Sequence, residues 1–162
     1  MATIINKLTI KKRAAFAHEI SSGKIAAMPT DTIYGLIADA FNENTVKRIY
    51  TIKQRPQTET FIVLINKYKQ LDLFLTQENI KRFMPVLSRV WPGPVTCILP
   101  ADDKCPEYLK RNDTIAIRMP DKHWFIKFLA AVEKPVVAPS ANIHGAPPCS
   151  TPQQNEYGLV HS

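Results

Sequence analysis

Four short runs of the sequence gather side chains able to do polar chemistry. The first, Pro29-Thr30-Asp31-Thr32-Ile33-Tyr34-Gly35, places two hydroxyls, a carboxylate and a phenol within a few positions. It directly follows a predicted strand at Lys24–Met28, and in open α/β sheets ligands bind beyond the carboxyl ends of strands. The same run also reads as a loop whose Thr and Asp side chains satisfy their own backbone. The second run is Lys53-Gln54-Arg55-Pro56. Lys53 stands seven residues after Val46, so it shares the apolar stripe of its helix and points toward the sheet. A cation at a helix C-terminus complements the helix dipole. Beside an arginine stiffened by proline, it also supplies a point charge and a planar fork together, a combination suited to phosphate or carboxylate oxygens. The third is Arg118, which ends the apolar run Ile115-Ala116-Ile117 and is either solvated or at the mouth of a site. The fourth, Ala138-Pro139-Ser140-Ala141-Asn142, follows a short strand, and its small residues let a ligand approach the backbone while Ser140 and Asn142 offer polar atoms. No Ser-His-Asp order and no paired acids are present, so covalent and glycosidase-type catalysis have little support.

The elements that must position these groups alternate between helix and strand along the whole chain, without a linker or an internal repeat. A first helix is predicted from about Ile10 to Ser22, capped by Thr9 and ended by Gly23. A second starts after Asn42, with Phe41 and Val46 placed for a hydrophobic staple, and ends near Lys53 because Pro56 biases Arg55 away from helical angles. Phe61–Ile65 is the clearest strand, a continuous apolar run for the middle of a sheet. Tyr68–Leu75 and Asn79–Val90 read as helical, the latter broken by Pro85. Trp91-Pro92-Gly93-Pro94 is a stiff turn into a strand at Val95–Leu99. Strands at Thr114–Arg118 and Val136–Ala138 flank a helix at Lys122–Ala131. Five strands with helices between them make a single-domain, twisted, open mixed α/β sheet with flanking helices.

At 162 residues, 45% hydrophobic and 22% charged, the composition is that of one globular domain, which excludes a disordered tail and a coiled coil. Thirteen prolines against five glycines argue against Gly-rich phosphate loops. No apolar run approaches the roughly 20 residues of a membrane span. Cys97, Cys105 and Cys149 form no CxxC pair, and the histidines at 18, 123, 144 and 161 are scattered, so neither a disulfide framework nor a protein-held metal site is expected. A cytoplasmic protein with free thiols is the expectation. A net charge of +7 fits an anionic partner such as a nucleotide or RNA.

Taken in order with Trp91-Pro92-Gly93-Pro94-Val95-Thr96 and Gly145-Ala146-Pro147-Pro148-Cys149, the four runs resemble the YrdC-type threonylcarbamoyl-AMP synthases, the short bacterial form above all, over about Lys11 to Gln154. The resemblance implies a YrdC-like fold and the condensation of L-threonine, bicarbonate and ATP, with Mg2+, to threonylcarbamoyl-adenylate and pyrophosphate. It further implies that a separate tRNA threonylcarbamoyl transferase machinery uses the product on the adenosine beside the anticodon. By the same resemblance Thr30, Thr32, Tyr34 and Arg118 lie around threonine. Lys53 and Arg55 act as the catalytic cations on bicarbonate and phosphate oxygens, and Thr114, Ser140 and Asn142 line the nucleotide. Such a reaction needs preorganised positive charge more than a nucleophile.

Two departures from the family pattern stand out. Gln57-Thr58-Glu59-Thr60 occupies the stretch where a second lysine is common, so Glu59 places negative charge where positive is expected. The single domain over residues 1–162 also reads as short at its C-terminus. The competing readings are a non-catalytic module binding tRNA or double-stranded RNA on the same basic face, and a carbamoyl-transfer domain like that of hydrogenase-maturation proteins.

Overall fold

The computed structural model describes residues 10–147, with side chains from residue 13 onward. Thr9 and the Pro148-Cys149 end of the last motif lie outside the described residues. Among the described residues four α-helices and six strands follow in the order α1 (Ile10–Ser21), β1 (Ala26–Pro29), β2 (Tyr34–Asp39), α2 (Glu43–Lys53), β3 (Val63–Leu64), α3 (Gln77–Val90), β4 (Cys97–Pro100), β5 (Thr114–Arg118), α4 (His123–Val132) and β6 (Val136–Val137).

Local chemistry accounts for most of these limits. Asn42 Oδ1 accepts the Thr45 amide and starts α2, and Gln54 in the left-handed region closes it with its amide on the Thr51 and Tyr50 carbonyls. Gly23, at φ 91°, takes the chain out of α1. Phe41, expected to staple α2, stacks on Phe74 at 5.4 Å. Pro85, expected to break its helix, sits inside an unbroken α3. Its ring removes one helical hydrogen bond, but Ile80 and Leu87 bury on either side of it and hold the helix together. Tyr68–Leu73 is a 3-10 helix.

The six strands form one mixed sheet in the order β1-β2-β6-β3-β5-β4. Only β3 and β5 run parallel; the other neighbours are antiparallel. The strand absent from the sequence reading is β2. It pairs Met28 with Gly35 on one side and Ala38 with Val137 on the other, so the Thr30–Ile33 run, expected as a loop after a strand, is the tip of an antiparallel hairpin.

Alternate residues of the central strands enter two cores. Leu36, Ala38, Val63, Ile117 and Val137 pack with Val46, Ile49 and Tyr50 of α2 and with Ile80 and Leu87 of α3. Ile37, Leu64 and Val136 pack on the opposite face with Ala17 and Ile20 of α1 and Phe125, Phe128, Leu129 and Val132 of α4. At the β4 edge this second face is open: Ile98, paired with Ala116, is 72% exposed. Trp91 is buried, its indole N–H donates to the Val95 carbonyl at 2.7 Å, and the Gly93 amide donates to the Met119 carbonyl at 2.8 Å. The turn is thereby fastened just beyond the end of β5. A Cβ on Gly93 would lie 2.5 Å from the Val90 carbonyl oxygen, so glycine is required by that close approach. Among the described residues no helix is long and apolar enough to cross a membrane.

Candidate functional site

Contacts between distant parts of the chain join the first polar run to the third and the fourth, and the second to the fourth. At the hairpin tip the Thr30 hydroxyl donates to the Ile33 carbonyl at 2.7 Å and accepts the Thr32 amide at 3.3 Å. Thr30 thus shapes the tip, while Thr32 is exposed with its hydroxyl 3.4 Å from that of Thr30. Tyr34, half-buried at the start of β2, accepts the Ala141 amide on its backbone carbonyl at 2.8 Å. Gly35 lets the following loop lie close. A Cβ there would sit 3.2 Å from the Pro139 carbonyl oxygen and 2.9 Å from Thr30 Cγ2.

Between the threonines, Asp31 reaches the end of β5. Its Oδ1 accepts Arg118 Nη2 at 3.2 Å, with the two side chains only 2% and 10% exposed. Asp31 Oδ2 and Arg118 Nε are buried without a partner among the described residues. The carboxylate sits within the first run, but its bond to Arg118 was not legible in the sequence, since the two stand 87 positions apart.

Lys53 ends α2 pointing inward, as its place on the apolar stripe requires, and is 1% exposed. Its ammonium donates to the carbonyls of Ser140 and Asn142 at 2.5 and 2.6 Å. Asn142, buried in the same loop, donates through Nδ2 to the Ile143 and Ala146 carbonyls, and its Oδ1 has no partner among the described residues.

Two residues further on, Arg55 lies over the Phe61 ring, 5.2 Å from its centre. Its Nη2 donates to Glu59 Oε2 at 3.2 Å and to the Thr60 carbonyl at 3.3 Å. Tyr50 stacks on the same Phe61 ring at 4.1 Å and donates its hydroxyl to the Glu59 carbonyl at 3.0 Å. Burial pushes the Tyr50 phenol up, so it stays a neutral donor in that role. Arg55 and Glu59 line a cleft of about 230 Å³ with Thr60, Arg111 and Thr114, floored by Ile98 and Ala116 on the open sheet face. Thr114 donates its hydroxyl to the Arg111 carbonyl at 2.7 Å. Of the residues singled out by sequence, Arg55 and Thr114 meet in this cleft. The others lie outside its lining: Thr30, Thr32 and Tyr34 at the hairpin, Arg118 at the end of β5, Ser140 and Asn142 in the loop after β6, and Lys53 at the end of α2 against that loop. Arg111 was missed. The signal for it is the Asn112-Asp113 pair, both at positive φ, a turn that folds Arg111 back against Thr114 at the mouth of β5.

The arrangement can hold anions: two guanidiniums stand over a partly apolar floor suited to a flat ring, and an adjoining tip and loop carry hydroxyls and amides. Among the described residues no group of three or more His, Cys, Asp or Glu could hold a metal ion.

Comparison with known proteins places this architecture. The Sua5/YciO/YrdC family profile, described as "Telomere recombination", matches residues 18–161. A threonylcarbamoyl-AMP synthase of Pyrococcus abyssi is 40% identical over 144 residues, 88% of this chain and 41% of that protein. The threonylcarbamoyl-AMP synthase of Escherichia coli K12 is 33% identical over 149 residues, 90% of this chain and 78% of that protein. The crystal structure of P. abyssi Sua5 complexed with L-threonine superimposes with a TM-score of 0.85 at 35% identity, over 98% of this chain and 49% of that one. E. coli YciO shares the fold, with a TM-score of 0.73 at 23% identity, over 89% of this chain and 70% of that one. The chain therefore spans about half the length or less of its Pyrococcus relatives and more than two thirds of the E. coli ones.

Proposed function

We propose that this chain, which belongs to the Sua5/YciO/YrdC family, is a threonylcarbamoyl-AMP synthase. The observation that carries the proposal is the Arg55–Arg111–Thr114 cleft, joined through α2 and the 140–146 loop to the tip with Thr30 and Asp31, which in turn pairs with Arg118 at the end of β5. In the reaction the threonine amine takes up the carbon of bicarbonate with loss of water, giving a carbamate. A carbamate oxygen then attacks the α-phosphorus of ATP and pyrophosphate leaves. Bicarbonate, ATP and the threonine carboxylate bring several negative groups together, and positive charge fixed before they arrive lowers the cost of doing so.

In this assignment Arg55 and Arg111 hold phosphate oxygens. Ile98 and Ala116 lie under the base, and Thr114, Ser140 and Asn142 position the nucleotide. Arg118, oriented by Asp31, faces the threonine with Thr30, Thr32 and Tyr34. Mg2+ enters with the nucleotide substrate. Its ligands come mainly from phosphate and water, since no acidic or His/Cys cluster is found among the described residues and Glu59 is the one carboxylate among those lining the cleft. The adenylate passes to a transferase that modifies tRNA.

Pyrophosphate release by the full chain, measured with threonine, bicarbonate and Mg·ATP together and with each left out, tests the reading. Release is expected only when all are present. Background release, coupled with tight tRNA binding at physiological salt, would replace the synthase with an RNA-binding module.

Glu59 competes with a ligand's anion for Arg55, because the two side chains already pair at 3.2 Å. Glu59→Lys is therefore expected to tighten ATP binding about threefold to tenfold at low salt, with the gain shrinking as salt rises. Calorimetry in low and high salt reads this out, and identical affinities of variant and parent at low salt would place Glu59 outside the ligand's field.

A further inference from the structure

Lys53 is tied to one loop by both its side chain and its main chain. Its ammonium donates to the Ser140 and Asn142 carbonyls, and its own carbonyl accepts the His144 amide at 2.8 Å. On its far side the same loop is held by β2, where the Leu36 amide donates to Pro139 and the Ala141 amide donates to Tyr34. A charged side chain on a residue only 1% exposed is tolerated where dipoles converge on it, and here two loop carbonyls do so. Turning the ammonium toward a phosphate would abandon both carbonyls and loosen the loop's tie to α2, which would then rest on the main-chain bond from His144.

We propose that Lys53 is a positioning residue: it sets the loop over residues 140–146, and that loop, not the ammonium, meets the bound substrates. The effect on substrate binding rests on the synthase reading above; the tie between Lys53 and the loop does not. The loop keeps one buried acceptor unmatched among the described residues, Asn142 Oδ1, which is the kind of atom a ligand amine or hydroxyl completes. Its orientation is fixed because Asn142 Nδ2 is committed to the Ala146 carbonyl at 2.6 Å and Lys53 grips the Asn142 carbonyl.

Hydrogen exchange on the full chain, resolved by residue, tests the proposal with Lys53→Met and Lys53→Arg. In Lys53→Met the Ala141 and His144 amides are expected to exchange at least about tenfold faster than in the parent, while α4 and β5 amides keep their rates. Threonine binding without ATP should weaken in step, and Lys53→Arg, which keeps the charge, should restore part of both. A phosphate-binding lysine would behave otherwise: the loop amides would be unchanged, threonine would bind normally without ATP, and only nucleotide affinity would fall. That outcome overturns the proposal. If Lys53→Met does not fold, the parent still decides, through the 15N resonance of the Lys53 ammonium. It is expected to exchange slowly and to stay in place when ATP saturates the chain; a large shift on ATP addition overturns the proposal. Absence of pyrophosphate release in the parent would remove the synthase reading and leave the loop exchange result standing.

Discussion

Arg55→Ala is expected to slow pyrophosphate release at least about tenfold while the chain stays folded, because one charge-assisted contact in a cleft contributes about 1.5–3 kcal/mol. Two features make the magnitude more than that of a surface arginine. The guanidinium is preoriented by the Phe61 ring on one side and by the Thr60 carbonyl at its end, so little freedom is lost when an anion arrives and takes the place of Glu59. It also stands in the cleft with Arg111 and Thr114, where a triphosphate would meet both guanidiniums. Lys53→Ala should cost at least as much, by a different route, since its ammonium holds the Ser140 and Asn142 carbonyls. The two variants separate in one measurement: Arg55→Ala should bind threonine normally in the absence of ATP, and Lys53→Ala should not. Unchanged turnover in both, with native circular dichroism, would take this end of α2 out of the site.

The largest expected effect on stability is at the other end of the site. Arg118→Ala strands the Asp31 carboxylate, which is 2% exposed, without its only ion-pair partner among the described residues. Breaking one side of a buried pair leaves an uncompensated charge, and the usual cost is about 3–5 kcal/mol. Urea denaturation should show this loss. Asp31→Asn combined with Arg118→Met removes both charges and should recover most of it, because the desolvation penalty of the pair goes with its attraction. A loss under about 1 kcal/mol for Arg118→Ala would mean that Asp31 reaches water in solution. The threonine-binding consequence is distinct: the double variant should stay folded yet bind threonine poorly, since the guanidinium assigned to the amino acid is gone.

The hairpin changes how the first motif works. A loop at the end of a parallel strand would offer its hydroxyls freely. At the tip of an antiparallel hairpin, Thr30 spends its hydroxyl on the Ile33 carbonyl, and the carboxylate beside it becomes the anchor for Arg118. The tip is therefore preorganised by its own backbone and by β5, and it is further joined to the 140–146 loop through Tyr34 and Gly35.

What the sequence by itself determined is what nearest neighbours decide. Asn42 announces the start of α2 because a cap needs only its own helix turn, and Thr114–Arg118 is the strand read from its apolar run. Lys53 could be placed on the buried side of its helix by counting from Val46. Partners across the fold could not be counted. Gly35 and Ala38 have little strand preference of their own, and β2 exists because β1 and the distant β6 supply its hydrogen bonds. Pro85 breaks helices in isolation, yet burial of Ile80 and Leu87 outweighs the one bond it removes. The ammonium of Lys53 finds its carbonyls 87 and 89 positions away, and Asp31 finds Arg118 at 87. Which residues could carry charge was written in their types and local spacing. Which charge meets a ligand, which holds a loop and which is already neutralised was decided only when the sheet brought them together, because a buried charge takes its role from whatever surrounds it.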